Sequence, residues 1–368
     1  LKIGICLRTW GERGGIGVYT RNTIRNLLAM DTKNQYVLLF QDPAHIGTFK
    51  GNENAREIHV PSKSKLMWDQ IASPWVAAKE DVDVIFHTKM SVPLLGRRKT
   101  LMVLHGTERF IYQRFHPKSD LLFFKTIYPQ FIKRANKIIA VSERGRQDII
   151  KIMGLAPEKV TTIHLAVDSI FRVIKDRAYL ERIKEKYQLP ERFLLYVGHI
   201  YPGKNVGRLF KAFERVCKEQ NVRLVMAGFK RWKFEEDFHL LHQLGIEEHV
   251  QLLGHVPQEQ LPALYNLASA SILPSIYESF PAPPLEANSC GCPVVASRTG
   301  GTPESAGDAA LYIDPLDVEG IGEAILRVLA DENLRRDLIE KGFRNAKRFS
   351  WEKTARETLT VLESLGLS

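Results

Sequence analysis

The sequence predicts an α/β fold made of two doubly wound domains, each a parallel sheet with helices on both faces. Three observations carry that reading: short apolar strand-like runs alternate with helical ones, the alternation restarts near residue 193, and 368 residues exceed what one core ordinarily supports. The first half opens with a strand from Lys2 to Leu7, a helix from about Gly17 to Met30 and a strand from Tyr36 to Phe40. Strands at Val84 to Phe86 and Thr100 to Leu104, a helix from about Leu121 to Ala135 and a strand at Lys137 to Val141 follow. Thr161 to His164 reads as the last strand of this half, and the charged helix Lys175 to Tyr187 opens the next. The second half places strands at Phe193 to Val197, Arg223 to Ala227 and Val250 to Leu253. Helices stand between and after them at Val206 to Glu219, Glu235 to Leu244 and Gln258 to about Leu267. Ala268 to Leu273 is a further buried strand, and Trp351, Ala355, Leu359 and Leu362 recur at helical spacing near the end.

The stretch Tyr277 to Ala287 carries the most chemistry. Glu278 and Glu286 stand eight positions apart around prolines 281, 283 and 284, whose fixed φ and missing N–H groups keep one continuous helix from holding both acids. Pro284 suits a first helical turn and Gly291 a stop. Glu278 is therefore expected in the loop beyond a strand's carboxyl end, and Glu286 in the first turn of the next helix, beside N–H groups that favour anions. Such a place suits a nucleotide sugar: one carboxylate accepts sugar hydroxyls, the other accepts ribose hydroxyls, and N–H groups face phosphate.

Other loops have comparable addresses. Gly14-Gly15-Ile16-Gly17 follows a strand and opens a helix, where Gly15 and Gly17 let backbone N–H groups approach a phosphate. The same glycines begin a dinucleotide fingerprint, and Asp42 ends the following strand as a ribose-binding acid would, but Thr20 occupies the third glycine position. His105 ends the apolar strand Leu101 to Leu104 and projects at the sheet's carboxyl edge, an address for function and equally one for a satisfied structural histidine. Lys204 lies in the loop between Val197 and Val206, where its cation would meet a diphosphate or simply face solvent.

Together these pieces resemble the retaining GT-B glycosyltransferases of family 4, also called group 1. The resemblance rests on Glu278-x7-Glu286 and the glycine loop, with Leu104-His105-Gly106, Val141-Ser142-Glu143, Ala166-Val167-Asp168, Val197-Gly198-His199 through Lys204-Asn205, and Phe349-Ser350-Trp351 in the family's order. It implies two Rossmann-like domains facing each other across a cleft, 1–168 with 351–368 on the acceptor side and 169–350 binding the nucleotide sugar. It further implies His105, Glu278 and Lys204 as catalytic residues. Gly15, Gly17, Gly198, His199, Lys204, Ser279, Phe280, Leu285 and Glu286 become donor-binding residues; Asp168, though part of the family's motif, reads as a hinge or cap and not as a catalyst. Relatives commonly carry Arg-Lys where this chain has Gly203-Lys204, and often Arg at the position of His199, so guanidinium groups are missing here. Lys65 to Pro74 resembles a segment of bacterial mannosyltransferases of polysaccharide assembly, which favours GDP-mannose over a UDP-hexose; a plain apolar helix with a capping turn accounts for the same residues. The expected activity is metal-independent hexosyl transfer with retention, to a glycan or lipid-linked acceptor, using no cofactor beyond the donor. A sugar-nucleotide epimerase or soluble-sugar synthase shares the architecture, and an NAD-binding or non-catalytic nucleotide-binding protein stands further off.

The net charge of +10 calls for a polyanionic partner: nucleotide diphosphate, an anionic membrane leaflet or nucleic acid. No nucleic-acid-binding signature is present, which disfavours the last. Phe110 to Lys137 interleaves aromatics with cations, either as a membrane-facing or acceptor-facing surface or as core helices turning Phe124, Ile127, Tyr128 and Phe131 inward. No apolar run reaches the roughly 20 residues that span a bilayer, and the first strand at Lys2 leaves no room for a signal peptide, though the missing initiator Met hides the native start. Four cysteines without metal spacing read as reduced thiols, so the expected compartment is the cytoplasm, with peripheral contact at the inner face of the plasma membrane.

Overall fold

A computed structural model describes residues 1–367. The chain divides into two compact units: unit 1 is Leu1–Ile111, Lys118–Ala166 and the stretch from Ser350 onward, and unit 2 is Tyr112–Pro117 with Val167–Phe349.

Unit 1 is built on seven strands, β1 (Lys2–Cys6), β2 (Gln35–Phe40), β3 (Ala55–His59), β4 (Val84–His87), β5 (Lys99–Leu104), β6 (Lys137–Ala140) and β7 (Val160–Thr162), in the order β3-β2-β1-β4-β5-β6-β7. All pair in parallel, and the order reverses between β1 and β4. The inner strands are near-continuous runs of Ile, Val, Leu and Phe because helices cover both faces. Edge strand β3, Ala-Arg-Glu-Ile-His, is half-exposed and lacks such a run, which is why hydrophobic pattern alone passes over it. β7 ends at Thr162, so His164 lies beyond the strand; its carbonyl instead accepts the Thr354 hydroxyl at 2.8 Å. The expected helix from Leu121 to Ala135 is two helices, Lys118–Thr126 and Tyr128–Arg134, with Pro129 in the first turn of the second. Phe124, Tyr128, Phe131 and Ile132 are buried there, so the aromatic face of this cationic stretch belongs to the core.

Unit 2 repeats the plan with β8 (Phe193–Val197), β9 (Arg223–Ala227), β10 (Val250–Gly254), β11 (Ala270–Leu273), β12 (Val294–Ser297) and β13 (Ala310–Ile313), ordered β10-β9-β8-β11-β12-β13. The reversal falls between β8 and β11, and ligands of open α/β sheets bind beyond the strand ends at such a point. The helix after β11 runs Ala282–Ser289. It starts two residues before Pro284, which moves Glu286 out of the first turn into the second. Prolines 283 and 284 also leave Ala282 as the one N–H among its first three residues, so this helix end offers an anion far fewer donors than expected.

The closing helix, Trp351–Leu367, packs in unit 1, where Ala355 and Leu362 are fully buried and Trp351 meets the edge of Tyr19 at 6.2 Å between ring centres. All four cysteines are free; Cys6, Cys290 and Cys292 are buried. No described helix is long and apolar enough to cross a membrane. Leu362→Ala removes a fully buried side chain, and the expected loss is about 2 to 5 kcal/mol in urea unfolding. A change within about 0.5 kcal/mol of zero, the size of a surface substitution, would contradict this packing.

Candidate functional site

In unit 2 the residues after β8 and after β11 meet. Lys204 leaves β8 through a short 3-10 turn, Pro202–Lys204, and Asn205 then takes a left-handed conformation (φ 61°) before the helix Val206–Glu219 begins. The Asn205 amide donates to the carbonyls of Pro274 and Pro315 at 2.9 and 2.6 Å, and the Ile276 N–H donates to the Gly203 carbonyl at 3.0 Å. These bonds fix the two loops against each other. Lys204 then donates to Glu278 Oε1 at 2.5 Å, and the Ser275 hydroxyl donates to the same oxygen at 2.6 Å.

The backbone of Glu278 is held from the third strand of the crevice. Beyond β12, the Gly301 N–H donates to the Glu278 carbonyl at 2.7 Å. Gly300 has φ 56°, and a Cβ there would stand 2.1 Å from the same carbonyl oxygen, so only glycine permits this approach. Burial alone would depress the Lys204 ammonium, but the Glu278 carboxylate and the neighbouring phenols of Tyr201 and Tyr196 outweigh it and hold its pKa above the ordinary value. The lysine is a fixed cation through the physiological range.

Glu286 has a different partner. Tyr265, on the helix Leu261–Leu267, donates its hydroxyl to Glu286 Oε2 at 2.7 Å. Burial pushes the Glu286 carboxyl up to about 7, against the lowering effect of that hydrogen bond. The two glutamates are thus chemically unlike: Glu278 is ion-paired, and Glu286 stands near its titration point at neutral pH.

His199 and Gly198 lie on a short extension in which the Ile200 N–H donates to the Phe229 carbonyl and the Arg231 N–H donates back to the Ile200 carbonyl, each at 2.9 Å. This brings the Arg231 guanidinium to 3.4 Å from His199 Nε2. Burial, together with the Arg231 and Lys204 cations, lowers His199 to about 4, so it is neutral at pH 7. Arg231 supplies a guanidinium next to the position where the sequence lacks one. Ser279 is buried with its hydroxyl meeting no hydrogen-bond partner among the described residues. The side chains of Phe280 and Leu285 turn into the core, Phe280 edge-on to Phe349 at 5.5 Å and Leu285 fully buried, which leaves only their backbones for a ligand. Asp168 caps a turn, accepting the Ile170 N–H at 3.2 Å.

Unit 1 has its own polar edge. Gly15 opens the helix Gly15–Met30, and a Cβ on Gly17 would stand 1.8 Å from the Glu12 carbonyl oxygen, so that glycine is required by the loop's own closure. Glu12 pairs with Lys89 beyond β4 at 3.0 Å. Asp42 accepts the Ala44 N–H in a local turn. His105 donates from Nε2 to the Thr88 carbonyl at 2.8 Å and lies edge-on to Tyr19 at 5.0 Å. Burial lowers its pKa to about 4, so the ring is neutral and, with Nε2 protonated, Nδ1 holds a lone pair able to accept from a hydroxyl. Among the described residues no three His, Cys, Asp or Glu side chains converge as a metal cluster.

Tyr265, Ser275, Arg231 and Gly300 are the residues that pattern reading passes over. Tyr265 sits in an apolar helix that reads as core, and Arg231 is separated from His199 by a whole βα unit, so neither carries a local signal.

Two doubly wound parallel sheets, with charged residues gathered where the strand order of the second reverses, give the chain the architecture of a two-domain α/β protein whose ligand crevices open at strand-order reversals. Residues 13–170 match the model described as Glycosyltransferase Family 4, and residues 180–345 match Glycosyl transferases group 1. O-antigen chain mannosyltransferase B of Escherichia coli is 28% identical over 368 aligned residues, covering 95% of this chain and 96% of that protein. The serotype-specific mannosyltransferase WbdA of Escherichia coli is 32% identical over 61% of this chain, which spans 28% of its length. Among solved structures, Anabaena Alr3699/HepE in complex with UDP-glucose superimposes with a TM-score of 0.76 at 17% identity over 99% of both chains. The chain belongs to glycosyltransferase family 4, with the GT-B fold. That membership sets aside the dinucleotide-binding reading of Gly15 and Gly17.

A pH dependence follows from Glu286. Its charged form grows as pH rises through about 7, and a carboxylate assigned to the donor's ribose hydroxyls accepts from both of them only in that form. Donor affinity is expected to rise about tenfold between pH 6 and pH 8, and Glu286→Gln should flatten the profile. A wild-type dissociation constant that is constant across this range would contradict the assignment.

Proposed function

We propose that this glycosyltransferase moves mannose from GDP-mannose to a glycan or lipid-linked acceptor, with retention at the anomeric carbon and without a metal ion. Support for mannose comes from the relatives named mannosyltransferases and from the Lys65 to Pro74 resemblance. The observation that carries the site assignment is the Lys204–Glu278 pair at 2.5 Å beside the orphaned Ser279 hydroxyl. A diphosphate gives Lys204 a stronger partner, and the released Glu278 carboxylate can accept from sugar hydroxyls.

In the proposed reaction the bond from the anomeric carbon to the β-phosphate oxygen breaks, and its electron pair leaves with the diphosphate. The acceptor oxygen bonds to the same face of the oxocarbenium-like carbon, and its proton passes to a phosphate oxygen. Lys204 and Arg231 stabilise the leaving charge, an effect of about 3 to 4 kcal/mol for a well-placed donor. Neutral His199 can give a hydrogen bond but no charge. Glu278 grips the sugar and is not the nucleophile, Glu286 takes the ribose, and His105, assigned by family resemblance, accepts from a sugar hydroxyl through Nδ1.

Thermal stabilisation by GDP, UDP, ADP, NAD and their sugar conjugates tests the donor. GDP or GDP-mannose at about 100 times its dissociation constant should add roughly 2.7 kcal/mol, a gain lost in Glu286→Ala. The transferred sugar should keep its anomeric configuration, and turnover should survive EDTA. Selective stabilisation by UDP would move the donor to a UDP-hexose, and loss of turnover in EDTA with rescue by magnesium would end the metal-free reading. Arg231→Ala should lower kcat at least tenfold while Arg231→Lys recovers part of it; an unchanged kcat would remove Arg231 from the leaving-group site.

A further inference from the structure

The helical stretch 65–79 of unit 1 has two unlike faces. It comprises Lys65–Met67, a π turn at Trp68–Ala72 and Ser73–Lys79. Ser64 caps it, accepting the Met67 N–H at 3.1 Å. Inward, Trp68, Asp69, Ser73 and Ala77 are buried. The Trp68 indole donates to the Val60 carbonyl at 2.9 Å, and Arg8 donates to both Asp69 oxygens at 2.9 Å.

Outward, a helix of this kind ordinarily presents polar side chains. Here Met67, Ile71 and Trp75 follow one another at four-residue spacing, 53%, 61% and 65% exposed, with Leu66 beside them at 55%. Gln70 extends the apolar area. Its amide donates to the Val92 carbonyl and accepts the Leu94 N–H, each at 3.0 Å, which fixes Leu94 and the 83% exposed Leu95 against this helix. Six large apolar side chains thus face water, four on this well-anchored helical stretch and two on the loop bonded to it.

The rim is cationic. Lys63, Lys65, Lys79 and Arg97 are exposed, and the Lys79 ammonium lies 5.7 Å from the Trp75 ring centre. The acid within the helix, Asp69, is buried against Arg8, while Glu80 and Asp81 just beyond it accept from Arg56 and Arg98. A polyanionic surface matches such a single-signed rim on all sides at once. At 15 residues, about 22 Å, the helical stretch is too short to span a bilayer but long enough to lie in its interface.

We propose that this face docks the enzyme on an anionic lipid surface, with Met67, Ile71 and Trp75 entering the headgroup boundary and the rim cations pairing with lipid phosphates. The inference deepens, and in part rests on, the reading of a lipid-linked acceptor. It also relocates the membrane contact from residues 110–137, where Phe124, Tyr128 and Phe131 are core.

The full chain, sedimented with vesicles of phosphatidylcholine alone or with about one-third phosphatidylglycerol, provides the test. Wild type should pellet with the anionic vesicles and be released by salt. Ile71→Ser with Trp75→Ser, and separately Lys65→Glu with Lys79→Glu, should each weaken partitioning tenfold or more while melting temperature and nucleotide stabilisation stay at wild-type values. Absence of wild-type binding to anionic vesicles overturns the proposal, as does wild-type binding by both variants. A wild-type dimer that the first variant turns to monomer, with no vesicle binding by either, would make the face a self-association surface and also overturn it. Nucleotide stabilisation without vesicle binding removes this proposal and leaves the transferase reading; vesicle binding without nucleotide stabilisation does the reverse.

Discussion

The arrangement of unit 2 depends on one topological constraint: the strand order reverses between β8 and β11, so the loops leaving these neighbours diverge and open a crevice at their carboxyl ends. Lys204 comes from one loop and Glu278 from the other, 74 residues apart in sequence and in direct contact. What surrounds them serves to hold those loops still. Asn205 reaches two prolyl carbonyls, Gly203 accepts from Ile276, and Gly300 lets β12's loop close on the Glu278 backbone. A partly buried ion pair contributes little net stability, because desolvation opposes the attraction. In the proposed reaction its use is to keep two charges ready for a ligand that can replace each one's partner.

The charges in this crevice are sorted by environment. Lys204 stays protonated because carboxylate and phenols outweigh its burial, whereas His199, buried and close to two cations, stays neutral. Glu286, with a phenol instead of a cation as neighbour, is left near neutrality by burial. The protonation state of each side chain therefore departs from its ordinary one according to its burial and to which loops bring which neighbours.

Unit 1 shows a complementary economy. The segment 65–79 spends its inward polar groups on anchoring, through Asp69 with Arg8 and Gln70 with the loop after Val92. The outward row of Met67, Ile71 and Trp75 is more than half exposed and lies outside that core. One short helix thus carries both explanations of its sequence, a structural face and a surface whose composition suits a lipid boundary.

The sequence by itself determined the α/β class, the doubled plan and the addresses of Lys204, Glu278 and His105, because these depend on local properties: apolar runs, breaks at Gly and Pro, and position after a strand. Short or half-exposed strands such as β3 carry no such run, and prolines 283 and 284 proved to be inside a helix beginning at Ala282. Only the tertiary structure decided that Lys204 grips Glu278, that Tyr265 sits on Glu286, that Arg231 stands beside His199, and that Phe124, Tyr128 and Phe131 face inward while Met67, Ile71 and Trp75 face out. Partner and facing are set by how distant βα units pack, and that packing leaves no periodic or compositional trace within any one segment.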